Sequence, residues 1–256
     1  MQIGIYDSGI GGLSVLREAL KRLPDAHYRY YADTDNVPYG NKPKPAVRGY
    51  AFEAVGFLHS RGCQALVVAC NTATSVAIDD LRASFPLPII GMEPAVKPAV
   101  LAHNHKRVLV LATEMTLKEP KFHNLVARID GEGIVDYLSM QKLVTFAERF
   151  AFEPAAILAY LESRLDGLDR AAYGTVVLGC THFLYFRPLI RQLFPAGTQI
   201  IDGNAGTIQR LLTQVETFPD QPAETGLEFF HSGRPADPEG FQRYLALLDQ
   251  AEGEPV

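Results

Sequence analysis

The chain has 256 residues, 47% of them hydrophobic and 21% charged, enough apolar material for one large domain or two smaller ones sharing a cleft. Its 24 Lys+Arg against 29 Asp+Glu leave a formal net charge of -5, without the basic footprint of a nucleic-acid binder. Three widely spaced cysteines, Cys63, Cys70 and Cys180, argue against a disulfide framework, and no apolar run approaches the ~20 residues of a membrane span.

A strand is expected at 2–6, with no basic and then apolar leader before it, so no signal peptide is read and a cytoplasmic protein is expected. Asp7-Ser8-Gly9-Ile10-Gly11-Gly12 follows and opens a helix at 11–23. Three readings of this loop compete. A dinucleotide fingerprint has Gly9-x-Gly11 in its favour, with Asp33 at about the expected ~20-residue distance, but Ser14 stands at its third glycine and Asp7 would face the pyrophosphate. A purely structural turn is the second. The favoured third is a small-ligand site at the strand end, with Asp7 holding an ammonium group.

A second strand at 27–32 leads through Asp33 to Pro38-Tyr39-Gly40, a defined loop able to present backbone N–H groups. Lys42 and Lys44, interleaved by Pro43 and Pro45, read as a solvated loop before a helix at 45–60. Cys63 reads as a small buried hydrophobe. Strands at 65–69 and 89–91 flank a helix at 75–85. Further strands are expected at 108–112, 134–137, 175–178 and 199–202, and further helices at 118–129, 154–164, 185–194 and 206–214. Alternation of this kind marks an α/β architecture, and Leu66-Val67-Val68 and Val176-Val177-Leu178 have the continuous apolarity of buried parallel strands. From about Gln214 the chain is rich in Pro and acidic residues until Leu227-Glu228-Phe229-Phe230, a late strand, and a short helix near 241–248. This last segment is able to return to the first half.

The two informative tripeptides are Cys70-Asn71-Thr72 and Cys180-Thr181-His182, each just beyond an apolar strand. Their spacing nearly equals that between Asp7 and Thr113, so two similarly ordered halves would set similar strand ends across a shared cleft. A helix N-terminus lowers a thiol's pKa toward neutrality, which would allow thiol and thiolate together at physiological pH. Asn71, Thr72 and Thr181 offer hydrogen bonds to a carboxylate, and His182 is placed to tune or relay a proton. Zinc is disfavoured by the lack of C-x-x-C and H-E-x-x-H patterns, and no lysine stands in a strand-end motif to hold a pyridoxal Schiff base. No metal and no cofactor are expected. A cysteine hydrolase using Cys180 and His182 stays open, but it leaves the second cysteine idle.

At these residues the chain resembles the cofactor-independent glutamate racemases. Asp7-Ser8-Gly9-x-Gly11-Gly12, Ala32-Asp33 with Pro38-Tyr39-Gly40, Ala69-Cys70-Asn71-Thr72-Ala73 and Gly179-Cys180-Thr181-His182 match that family's signatures in order and spacing. The resemblance implies two similar α/β domains with mostly parallel sheets, related by a pseudo-twofold, and an active site in the cleft between them. Residues 1–96 with 207–256 would form the first domain and 97–206 the second. It implies that Cys70 and Cys180 flank the substrate's α-carbon, assisted by Asp7 and His182 respectively. Ser8, Pro38, Tyr39, Gly40, Asn71, Thr72 and Thr181 would bind substrate together with Asp7 and His182, and Thr113 and Thr116 resemble further contacts. It further implies a homodimer acting on glutamate and supplying its D-form to bacterial peptidoglycan, hence to cell shape, with no nucleic-acid or membrane partner.

Two departures stand beside Cys180. Where the family carries Cys-Pro-Leu-Phe-Val-Pro before an acidic residue, this chain has Ser139-Met140-Gln141-Lys142-Leu143-Val144, followed by Glu148 and Glu153. The usual Tyr-Pro-Leu after the Thr-His pair is Phe183-Leu184-Tyr185. Which glutamate supports the second half-site is open, and so is the side chain: an aspartate racemase of the same superfamily, or a non-catalytic amino-acid-binding protein, are the alternatives. The first strand begins at once, so no effector site built from an N-terminal extension is expected.

Overall fold

The computed structural model describes residues 1–102, 105–130, 133–216 and 225–252. The first half alternates β1 (Gln2–Asp7), α1 (Leu13–Arg22), β2 (His27–Ala32), α2 (Lys44–Ser60), β3 (Ala65–Val68), α3 (Asn71–Ser84) and β4 (Ile89–Gly91). The second runs through α4 (Val96–Leu101), β5 (Arg107–Ala112), α5 (Glu114–Lys118), α6 (Pro120–Ile129), β6 (Val135–Ser139), α7 (Gln141–Glu148), α8 (Pro154–Leu165), β7 (Tyr173–Gly179), α9 (Arg187–Gln192) and β8 (Gln199–Asp202). Then come α10 (Asn204–Val215), β9 (Gly226–His231), β10 (Arg234–Pro235) and α11 (Pro238–Glu252). The Pro-rich acidic stretch expected after Gln214 lies, over 217–224, outside the described residues.

Two sheets form. One has the order β10-β9-β2-β1-β3-β4 and the other β6-β5-β7-β8, and every pairing is parallel except β9 with β10. The core of each repeats a single plan: β2-β1-β3-β4 in the first corresponds to β6-β5-β7-β8 in the second, with β1 and β5 at equivalent places. The half-repeat read from the two cysteine tripeptides is therefore present in the strand order itself. Burial on both faces explains the runs: Ile3, Ile5, Val67, Val68, Val108, Val110, Val176 and Val177 are fully covered by the flanking helices. Each such side chain contributes about 1.5–3 kcal/mol of transfer free energy.

The late strand does return, with β9 pairing along β2 from Gly226 against His27 to His231 against Ala32. After it, α11 reaches across both halves. Phe241 stacks on Phe229 at 4.4 Å between ring centres and meets Tyr30 edge-on, while Tyr244 packs against Phe150, Phe152 and Tyr185 and donates from its hydroxyl to the Ala147 carbonyl at 3.2 Å. Among the described residues no helix is long and apolar enough to cross a membrane.

Several elements differ from expectation for local reasons. Helix α3 begins at Asn71 rather than at position 75, because the Cys70 sulfur caps it by accepting from the Ala73 N–H at 3.4 Å. The helix expected at 118–129 divides, with Pro120 in the first turn of α6 and Thr113 capping a separate α5. Residues 181–186, partly assigned to a helix at 185–194, form a 3-10 segment ahead of α9. Two helices, α4 and α7, have no counterpart in the expected elements.

Candidate active site

Strand ends of both sheets converge on one small cavity. It is lined by Ser8 after β1, Tyr39 and Gly40 after β2, Cys70, Asn71 and Thr72 after β3, Thr113 after β5, Gln141 and Val144 after β6, and Cys180, Thr181 and His182 after β7. In open parallel sheets the carboxyl ends of the strands are where backbone leaves the ladder and can face a ligand. Here two such edges meet. The enclosed volume is about 10 Å³, room for about one water molecule.

Both thiols are buried, Cys70 at 5% exposure and Cys180 at 6%, and both are free of disulfides. The Cys70 thiol donates to Ser8 Oγ at 3.6 Å. Burial, followed by the nearby Asp7 carboxylate, pushes this thiol up to about 12 despite the Ala73 N–H at the start of α3. The lowering expected of a helix N-terminus is thus outweighed at Cys70. Desolvation of a thiolate and a like charge beside it together exceed what one backbone donor contributes.

Around Cys180 the arrangement differs. Its sulfur lies 3.7 Å from His182 Nδ1, and the other ring nitrogen, Nε2, lies 2.6 Å from Glu148 Oε1. Burial opposes charge on the ring, yet the contacts with Cys180 and Glu148 hold His182 well above the ordinary imidazole value. Glu148 Oε1 also accepts from the Ile10 N–H at 2.9 Å, tying the glycine-rich loop to the end of α7. Glu153, the other carboxylate weighed for this position, is exposed at the start of α8.

Asp7 is fully buried and stands behind the lining. Thr181 Oγ1 donates to its Oδ1 at 3.3 Å, and the Gly9 N–H donates to its Oδ2 at 3.2 Å. Burial raises its pKa, with His182 and the Gly9 amide working the other way. The glycines of this loop permit close approach between the halves. A Cβ on Gly9 would lie 1.8 Å from Glu148 Oε1, and one on Gly11 2.4 Å from Thr181 Oγ1. Protein atoms thus fill the space a pyrophosphate would need, and Asp33 is engaged by Tyr39 at 2.6 Å, Asn36 at 3.0 Å and Ser232 at 2.8 Å.

Three threonine hydroxyls form a closed set, Thr72 to Thr113 at 2.8 Å, Thr113 to Thr116 at 2.9 Å and Thr72 to Thr116 at 3.2 Å. Of these, Thr72 and Thr113 line the cavity and Thr116 supports them from behind. Pro38 precedes Tyr39 outside the lining. Tyr39 extends a buried chain, Tyr6 to Tyr39 at 2.7 Å and Tyr39 to Asp33 at 2.6 Å. Gln141 and Val144 were not among the residues singled out for the site. The only sequence signal for them was the unusual segment Ser139-Met140-Gln141-Lys142-Leu143-Val144.

The sequence profile of the Asp/Glu/Hydantoin racemase family matches residues 12–211. The glutamate racemase of Halothermothrix orenii is 52% identical over 252 residues, 98% of this chain and 100% of that protein. Glutamate racemase 2 of Bacillus subtilis is 49% identical over 253 residues, 97% of this chain and 96% of that one. The crystal structure of Escherichia coli glutamate racemase in complex with L-glutamate and the activator UDP-MurNAc-Ala superposes with a TM-score of 0.81 at 31% identity, covering 98% of this chain and 94% of that chain.

Proposed function

The chain belongs to the Asp/Glu/Hydantoin racemase family, and from that premise we propose that it interconverts L- and D-glutamate through Cys70 and Cys180, acting on opposite faces of the α-carbon. The observation that carries the reading is the pair of buried thiols lining one cavity from equivalent strand ends, Cys70 after β3 and Cys180 after β7. Inversion needs a base to take the α-hydrogen as a proton and an acid on the other face to return one. The C–H electron pair stays on the substrate as a carbanion until the second sulfur's proton closes the new C–H bond. Each turnover leaves the sulfur that gave its proton as thiolate and the other as thiol, the arrangement the reverse reaction starts from.

The surroundings suit those steps. Cys70, pushed up to about 12, rests as the protonated thiol and serves as the acid. Proton removal then falls to Cys180, whose sulfur lies 3.7 Å from Nδ1 of the charged His182 ring. Asn71, Thr72 and Thr113 supply hydrogen bonds to the α-carboxylate, where charge from the carbanion is delocalised, and Asn71 Oδ1, buried without a partner among the described residues, accepts from the ammonium. Ser8, Tyr39 and Gly40 complete the binding surface. Pro38 fixes the approach to Tyr39, Thr181 lines the cavity and donates to Asp7, and Asp7 and Thr116 hold the lining from behind. A cavity this tight keeps bulk water from the carbanion.

We assign 1–96 with 207–256 to one domain and 97–206 to the other. We further read the chain as a cytoplasmic homodimer whose product is used in peptidoglycan, in keeping with the glutamate racemases it resembles. The deciding experiment is proton NMR of L-glutamate and L-aspartate in D2O with the purified, reduced protein. Loss of the glutamate α-proton signal with formation of D-glutamate is expected, with aspartate unchanged. Cys70→Ala and Cys180→Ala should each abolish inversion while the circular dichroism of the fold is retained. Full turnover by either variant would overturn the two-thiol mechanism, and preferential loss of the aspartate signal would overturn the choice of side chain.

A further inference from the structure

Gln141 is the first residue of α7, immediately beyond β6, and it lines the cavity. In the repeated strand plan β6 corresponds to β2, so Gln141 holds in the second half the place that Tyr39 and Gly40 hold in the first. The two positions touch. A Cβ on Gly40 would fall 2.0 Å from Gln141 Oε1 and 2.8 Å from its Nε2, so the amide lies flat against a backbone that only glycine leaves open to it. Both polar atoms of this amide are buried, and neither has a hydrogen-bond partner among the described residues. Buried amides are nearly always partnered, and one left unsatisfied beside a reaction cavity is a position waiting on a ligand.

The rest of the polar lining is already matched to the reacting end of an amino acid. Asn71 with Thr72 and Thr113 face its carboxylate and ammonium from the ends of β3 and β5, and the two thiols take its α-carbon. We infer that Gln141 is a specificity-determining residue whose Nε2 donates to the distal carboxylate of the substrate, selecting side chains that end in a carboxylate at glutamate's length. This inference rests on the proposed racemase reading. A carboxylate is the group that fits, because it accepts from an amide N–H without needing a donor of its own, and a hydrogen bond to a charged acceptor is stronger than one between neutral groups. A site built to hydrogen-bond its substrate also discriminates strongly against analogues lacking the acceptor, since the amide then stays unpaired.

The test compares the wild type with Gln141→Leu, which removes both polar atoms and one methylene of length, and Gln141→Asn, which withdraws the amide by that same methylene. Calorimetry gives Kd and steady-state assays give KM and kcat for glutamate, for norvaline (no distal carboxylate) and for 2-aminoadipate (one methylene longer). For Gln141→Leu, Kd and KM for glutamate should rise about 10–100-fold with kcat within about threefold of wild type, the pattern of a lost binding contact. Norvaline exchange should not fall. Gln141→Asn should shift the preference from glutamate toward 2-aminoadipate. Unchanged Kd and KM for glutamate in a folded Gln141→Leu, with a wild type that racemises glutamate, would overturn the inference and leave the proposed reaction standing. A wild type that binds glutamate without exchanging its α-hydrogen, and loses that binding in Gln141→Leu, would overturn the reaction and sustain the role of Gln141. No glutamate binding by the wild type would overturn both.

Discussion

Glu148 makes two contacts with one oxygen: it accepts from the Ile10 amide and it meets His182 Nε2. A ring held between Glu148 and Cys180 stays charged, and its raised pKa follows from those contacts in spite of burial. Replacing Glu148 with Gln removes the negative charge while leaving an oxygen for Ile10. The expected result is a fall in kcat of about 10–100-fold, with the limb of the pH profile that reports His182 deprotonation moved to lower pH. Stopped circular-dichroism assays across pH would measure both. At this scale the sequence was informative for Cys70, Cys180, Asp7 and His182, because each sits in a short motif at a strand end. It left the choice between Glu148 and Glu153 open, since which carboxylate reaches the histidine depends on where α7 ends. The Cys70 pKa also ran opposite to expectation. A helix N-terminus is visible in a string of residues, whereas the burial and the Asp7 charge that outweigh it exist only after folding.

The loop between β1 and α1 shows what an element requires that its residues alone do not reveal. Gly11 stands where a Cβ would come within 2.5 Å of His182 Nδ1 and 2.7 Å of the His182 backbone nitrogen, so the loop and the 3-10 segment at 181–186 can touch only through glycine. Gly11→Ala should therefore cost about 1–3 kcal/mol in urea denaturation through overpacking, and it should lower kcat by displacing the ring that faces Cys180. Gly49→Ala, in the body of α2 with nothing within 4 Å of the new methyl, should leave activity unchanged. Except for the two-residue β10, strands were read from sequence to within two residues at each end, because parallel strands buried on both faces, such as β3 and β7, are continuously apolar. Helices were read less well. The sulfur cap of α3 falls outside the usual Ser, Thr, Asp and Asn signals, Pro98 sits inside α4, and α7 is only eight residues long.

Across the whole molecule the same strand plan is used twice, and the echo between the two cysteine tripeptides was enough to suggest it in the sequence. The crossing of α11 over both halves was not legible there, since it depends on Phe241 finding Phe229 and Tyr244 finding Phe150 after long-range return of the chain. Burial on this scale also has a pH signature. Cys70 is pushed up to about 12, and burial raises Tyr6, Tyr30, Tyr39 and Tyr185 above the ordinary phenol value. A raised folded-state pKa means the native state holds its proton more tightly than the unfolded chain. The associated stability is complete well below about pH 8.5, the ordinary thiol pKa of the unfolded chain, and declines as pH rises through it toward the folded values. Urea midpoints should fall steadily above about pH 8.5, and less steeply between there and about pH 10 in Cys70→Ser, which has no thiol to ionise. Finally, the cavity between the two sheets has room for about one water molecule. An amino acid is larger than that space, so the lining has to move apart to admit it and again to release it. In the two-thiol mechanism proposed above, a hydrogen lifted by one sulfur would have no solvent to trade with while the lining stays closed. In the proposed reaction that separation keeps an isotope record: unreacted glutamate would leave with its own hydrogen, and inverted glutamate with one that water had given to the opposite sulfur before substrate entered.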